Sequence, residues 1–94
     1  MKGIRLIVIT PAGEAANVEC ASVTVFCRDG VNGENGGSIG IMHGFLPSLI
    51  ALEPGSRVRA MLDGKPIYEA VVSGGFAGVR DDTVTVLTEE VRQI

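Results

Sequence analysis

Short apolar runs, each closed by glycine, proline or an Asp-Gly-like pair, follow one another along this chain, and several show a two-residue alternation. In Thr83 to Leu87, Val84 and Val86 fall on one face while Thr83 and Thr85 fall on the other, as in a half-buried antiparallel strand. Ile4 to Thr10 reads as a mostly apolar strand, stopped by Gly13 and by Pro11, which has no amide hydrogen for a ladder. Ser22 to Cys27 is a second strand. Arg57 to Leu62 and Lys65 to Ser73 flank Asp63-Gly64, the strongest short hairpin signal in the chain. Phe76 to Arg80 and Thr83 to Leu87 flank Asp81-Asp82 as a further hairpin. The segments Gly37 to Gly55 and Val72 to Leu87 set Gly or Pro between short apolar runs, which is how tight corners between strands are written. No window sustains a helical period; Thr88-Glu89-Glu90-Val91 is expected to begin one turn of helix at the end. Short strands with turn signals at regular spacing indicate an all-β fold, a sandwich or small barrel.

With 94 residues the chain is one small domain with a single thin core. Hydrophobic residues make up 46% but aromatic residues only 4%, so Val, Ile, Leu and Ala must fill that core. Phe26, Phe45, Phe76 and Tyr68 are expected to be its few large pieces. The 13 glycines lie mostly between apolar runs and read as turn chemistry. The run from Arg28 to Ser38, RDGVNGENGGS, is a loop or hairpin tip. A phosphate-binding reading of it fails, because no GK[ST] follows and no helix opens after it.

A formal net charge of −3, without a basic run or aromatic-basic interleaving, argues against a nucleic-acid partner. The apolar stretch Leu6 to Ile9 is too short for the core of a signal peptide, and no segment is long and apolar enough for a membrane span. Cys20 and Cys27 sit an odd number of positions apart on what reads as one strand, hence on opposite faces, and are expected to be free buried thiols. A zinc site from Cys20, Cys27 and His43 lacks CxxC spacing and an obvious fourth ligand. A thiol enzyme using Cys27 and His43 has only its residue types in its favour. Glu14, Glu53, Glu69 and Asp81 fall in no motif that pairs an acid with a base. No catalytic residue, metal or cofactor is expected.

Several segments together carry a resemblance. LIVITPAGE (Leu6 to Glu14), SVTV (Ser22 to Val25), VSGGFAGV (Val72 to Val79) and VTVL (Val84 to Leu87) are four of them. The fifth runs from Gly37 to Gly55 and matches at Gly37, Gly40, Gly44, Pro47, Leu49, Ala51, Leu52, Pro54 and Gly55. Over nearly the whole chain this resembles the epsilon subunit of F-type ATP synthases. The resemblance implies a flattened two-sheet antiparallel β-sandwich docked on the gamma subunit and on the ring of membrane c subunits. Such a module helps couple ion-driven rotation to ATP synthesis, has no active site, and is peripheral on the cytoplasmic face of the bacterial inner membrane. Carried over, the ring-facing turn corresponds to Gly37, Ser38 and Ile39, and the gamma-facing surface to positions around Thr10, Phe45 and Ile50.

The chain departs from the family pattern at His43, where Pro is common, and at Phe45, where His is common, which makes that segment more apolar. Ser38 replaces the familiar acidic residue of the ring-facing turn, and the loop before Gly37 is longer than usual. After the sandwich the family usually continues into a pair of helices that restrain ATP hydrolysis, whereas this sequence stops at Ile94; coupling without hairpin-type inhibition is the expectation. Two alternatives stay open at this point. Phe45, Ile50 and Ile39 are either core residues or, if exposed together, a partner patch. The chain is either a rotor subunit or a free-standing sandwich that turns the same surface to another partner or ligand.

Overall fold

The computed structural model describes residues 3–26 and 37–94, and the backbone of these residues is strand, turn and extended connection. Chain order gives β1 (Ile4–Thr10), β2 (Gly13–Cys20), β3 (Ser22–Phe26), β4 (Ser38–Met42), β5 (Ser48–Leu52), β6 (Ser56–Leu62), β7 (Lys65–Val72), β8 (Gly75–Arg80), β9 (Thr83–Leu87) and β10 (Val91–Gln93). They form two five-stranded sheets, ordered β2-β1-β9-β8-β5 and β10-β7-β6-β3-β4. The all-β sandwich expected from the sequence is therefore present, and its extents of 40 × 30 × 25 Å make it flattened. One pairing departs from a purely antiparallel pattern: β1 runs parallel to β9, with Leu6 opposite Val84 and Val8 opposite Val86.

Alternation builds the core. Leu6 and Val8 of β1, Val84 and Val86 of β9, and Ala77 of β8 are fully buried beneath the first sheet. Val23 and Val25 of β3, Val58 and Ala60 of β6, and Ala70 of β7 face them from the second. Each buried valine is worth about 1.5–3 kcal/mol relative to leaving it in water. Branched side chains suit this thin interlayer, because they pack well on a pleated surface with little rotamer freedom to lose.

Both hairpin turns are where the sequence places them. Asp63 and Gly64 have φ of 53° and 75°, and Asp81 and Asp82 have φ of 51° and 56°. Two consecutive positive φ values match the right-handed twist of the flanking strands.

Other expectations are corrected. Thr88 to Val91 does not begin a helix. The Ser73 amide donates to the Glu90 carbonyl at 3.0 Å, the Glu90 amide donates to Ser73 Oγ at 2.9 Å, and Val91 then opens β10 against β7. The sheet edge offers these backbone groups partners that an isolated helical turn lacks. The stretch from Cys20 to Phe26 is two strands, not one: Cys20 ends β2, and the Ala21 amide turns the corner by donating to the Met61 carbonyl at 2.7 Å. Cys20 is a buried free thiol, its pKa pushed up by that burial. Cys27 and the glycine-rich segment 28–36 lie outside the described residues.

The expected large core pieces divide. Tyr68 is buried and Phe45 packs half-buried against the core, but Phe26 and Phe76 stand on outward faces. Register decides it: Phe26 is opposite Ser38 and Arg57, and Phe76 is opposite Ala51 and Leu87.

Candidate functional site

The six residues singled out by resemblance do not form one surface. Thr10 closes β1 at one end of the sandwich, whereas Phe45, in the connection from β4 to β5, lies at the other end beside the β8–β9 turn. Ile50 is opposite Ala77, which is fully buried. Directly opposed residues share a face, so Ile50 points inward. Ile39 is opposite fully buried Val25 and points inward too. Ile39, Phe45 and Ile50 all pack half-buried against the core, so the core reading describes them and the joint exposed patch does not form. Gly37 and Ser38 are exposed. Ser38 occupies the β4 edge on the outer face of the second sheet.

An exposed apolar surface does exist, on the neighbours of those residues. Across the outer face of the first sheet, Ile9 of β1, Leu87 of β9, Phe76 of β8 and Ala51 of β5 stand in one cross-strand row. Ile7, Thr85, Gly78 and Leu49 form the next row. Leu49 is 73% exposed, Leu87 51% and Phe76 50%. Large apolar side chains grouped on one flat face mark a partner surface, unlike single exposed leucines scattered elsewhere. At its rim, a groove of about 420 Å³ runs between Thr10-Pro11 and Gly74-Gly75, with Leu87 and Thr88 in its wall.

The outer face of the second sheet has the opposite chemistry. Arg92, Val71, Arg57, Phe26 and Ser38 make one row across β10, β7, β6, β3 and β4. Glu69, Arg59, Thr24 and Gly40 make the next. The guanidinium carbons of Arg57 and Arg59 lie 4.9 and 4.8 Å from the centre of the Phe26 ring. Arg59 Nε donates to Glu69 Oε2 at 2.7 Å, and Arg57 stands 3.6 Å from the same carboxylate. The hydrogen bond from Arg59 holds the Glu69 carboxyl below its usual range, and the same bond raises Arg59. The sequence shows no aromatic-basic interleaving, yet the sheet produces one in space from separate strands.

Nothing among the described residues assembles acid, base and nucleophile. No group of three or more His, Cys, Asp or Glu suitable for a metal is found there, and His43 is paired with Asp82. A groove of about 430 Å³ lies by Arg5, Glu19, Cys20 and Leu62, and its Arg5 is bound to Glu19 at 2.6 Å. No described helix is long and apolar enough to cross a membrane.

The residues the sequence reading missed carried a signal. SLIAL of β5 is apolar at Leu49, Ile50, Ala51 and Leu52, so both faces of an edge strand are apolar. One face serves the core, which leaves the other exposed.

Comparison with known proteins agrees with the fold. The family model of the ATP synthase delta/epsilon chain beta-sandwich domain matches residues 3–94. The ATP synthase epsilon chain of Bacillus velezensis is 34% identical over 89 residues, covering 95% of this chain and 61% of that protein. The chloroplastic ATP synthase epsilon chain of Gracilaria tenuistipitata is 42% identical over 62 residues, 62% of this chain and 44% of that one. A chain in the Euglena gracilis mitochondrial ATP synthase, solved with OSCP, F1 and the c-ring, has the same fold. Its TM-score is 0.76 at 24% identity, over 97% of this chain and 53% of that one. This chain thus spans about three fifths of its Bacillus relative, 61%. By the match over 3–94 and these relatives, the chain belongs to the ATP synthase delta/epsilon beta-sandwich family.

Proposed function

We propose that this chain is a non-catalytic component of the central-stalk rotor of an F-type ATP synthase. It binds the gamma subunit, meets the ring of c subunits at the turn of Gly37 and Ser38, which Ile39 anchors to the core, and helps couple ion-driven rotation to ATP synthesis. Its place is peripheral, on the cytoplasmic face of the bacterial inner membrane, held there through the complex.

The observation that carries this reading is the apolar outer face of the first sheet. Leu49, Phe76 and Leu87 gain nothing for the isolated domain by facing water, whereas docking removes their surface from it. Thr10 borders this face through the groove beside Leu87. Ile50 and Phe45 support it from beneath. Gamma is therefore assigned to Thr10, Leu49, Phe76 and Leu87, with Ile50 and Phe45 holding the strand that presents them. A closed two-layer sandwich suits a rotating joint, because a close-packed interior deforms little under load.

The test is complex formation with the gamma subunit from the same source, followed by native mass spectrometry and size exclusion. A one-to-one complex is expected. Leu49→Asp and Phe76→Asp should each keep the amide spectrum of the wild type and weaken the complex about thirtyfold or more, as central anchors do. No association at tens of micromolar, with both partners folded, overturns the rotor reading.

A further inference from the structure

β5 (Ser48–Leu52) forms one edge of the first sheet. Its strand partner among the described residues is β8, in an unbroken register from Ser48 opposite Val79 to Leu52 opposite Gly75. The backbone groups on its other side are a template for a further strand. Folded proteins usually blunt such an edge with charge, proline, a bulge or very short length. β5 uses none of these. SLIAL holds no charged residue and no proline, its pairing has no register shift, and five residues is an ordinary strand length. Two of the other three edges are guarded. β2 carries Glu14 and Glu19 and pairs with β1 through a register shift at Val8 and Ile9, and β10 is only three residues long with Arg92 at its centre. β4 adjoins residues 27–36, which lie outside the described chain.

β5 also fits itself. Directly opposed residues of antiparallel strands share a face, so a strand paired with its own copy about a two-fold axis normal to the sheet must be centred on a residue. Centred on Ile50, all five residues of each strand find a partner, whereas a centre at Leu49 or Ala51 pairs only three. In the first register exposed Leu49 faces Ala51 of the second copy and Leu52 faces Ser48, so each off-axis pair sets a large side chain against a small one. Half-buried Ile50 meets Ile50 of the second copy. The Ser48 hydroxyl already donates to the Leu46 carbonyl at 2.9 Å, so it loses no partner there. Glu53 falls beside Pro47 of the second copy, and between Pro47 and Glu53 no charge opposes another.

We propose that this chain pairs with a second copy of itself through β5, centred on Ile50, which joins two five-stranded sheets into one continuous sheet. The outward row of Leu49 then runs on from one copy into the next, and part of the Leu49 surface, 73% exposed in the single chain, leaves water. The pairing needs no other subunit and is independent of the gamma assignment.

The experiment is sedimentation equilibrium of the chain alone from about 1 to 500 µM, a range suited to a contact this small, with amide hydrogen exchange read at residues 48–52. A monomer–dimer equilibrium is expected, in which exchange at β5 slows as the dimer fills. Two double variants at the exposed positions of β5 test the register, each checked for an unchanged amide spectrum. Leu49→Lys/Ala51→Lys sets like charges opposite one another at both outward pairs and should weaken the dimer about tenfold or more. Leu49→Lys/Ala51→Glu sets opposite charges there and should recover most of that loss. A wild type that stays monomeric at the highest concentration overturns the proposal. So does a Lys/Lys variant that dimerises as tightly as the wild type, because the contact then lies elsewhere. A Lys/Glu variant no tighter than the Lys/Lys variant overturns the register centred on Ile50. Exchange at β5 that slows only when gamma is added, with the chain alone monomeric, makes gamma the occupant of the edge and overturns the second copy.

Discussion

His43 Nδ1 and Asp82 Oδ2 stand 2.7 Å apart, joining the corner that leaves the second sheet to the β8–β9 turn of the first. The same carboxylate accepts a hydrogen bond from the Gly44 amide at 3.0 Å, and the Asp82 carbonyl accepts one from the Arg5 amide at 3.0 Å. Asp82 holds φ at 56°, a conformation Asp and Asn tolerate better than other side chains. Asp82→Ala is therefore expected to cost about 1–3 kcal/mol, from the lost acceptor and the left-handed backbone together. Asp82→Asn should cost less, since it keeps the backbone preference and one acceptor oxygen. Urea denaturation of both variants checks the order, and an equal cost would mean that the backbone preference and the retained acceptor oxygen carry no stability.

Gly75 has no room for a side chain. Its φ is 111°, and a Cβ there would sit 1.9 Å from the Leu87 carbonyl oxygen, which is backbone and cannot step aside. Gly75→Ala should lose about 3 kcal/mol or more. Gly40→Ala, at a strand position with open space around it, should be neutral within about 0.5 kcal/mol. Thermal melts of the pair decide the matter; similar melting temperatures would contradict the register between β8 and β9.

Ser56 is 1% exposed, and its Oγ has no hydrogen-bond partner among the described residues. Burying a hydroxyl without a partner carries a cost of about 1–3 kcal/mol. Ser56→Ala removes that group and leaves only a small space, so it should raise stability by up to about 1 kcal/mol. Loss of stability in equilibrium unfolding would point to a partner for that hydroxyl.

Glu69 gives the sandwich an acid-sensitive component. Its folded pKa is lowered, first by the hydrogen bond from Arg59, so its contribution is complete above the ordinary carboxylate range. That contribution is lost as pH falls through the lowered value. Glu69→Gln should therefore be less stable than the wild type at neutral pH, and the gap should narrow on acidification below about pH 4. Chemical unfolding at several pH values reads this directly; a gap independent of pH would show that the loss is one of packing alone.

The strands that the sequence made legible are those with a strong turn beside them. Asp63-Gly64 and Asp81-Asp82 fixed two hairpins, and Val84 and Val86 gave the inward face of β9. β2 escaped notice because GEAANVEC is an edge strand, mostly exposed, with few residues that prefer sheet. β10 escaped because its three residues are held by Ser73, Glu90 and β7, partners remote in sequence. The exposed apolar face was legible to the nearest residue only. Resemblance pointed to Ile50 on β5, but alternation turns Ile50 inward and presents Leu49, and a shift of one position exchanges faces. The face that bears the arginines was hidden for another reason: Phe26, Arg57, Arg59 and Arg92 come from three strands, and register alone brings them together.

The parallel pairing of β1 with β9 sets an order on the making of this protein. β1 is made well before residues 83–87, one of its two neighbours, so the first sheet cannot close until β9 has been synthesised. Contacts of such sequence separation fold slowly, because loop closure must precede the gain from pairing. Until then the nascent β1–β2 hairpin exposes Leu6 and Val8 to other chains. A chain cut short before Leu87 would leave the first sheet unclosed.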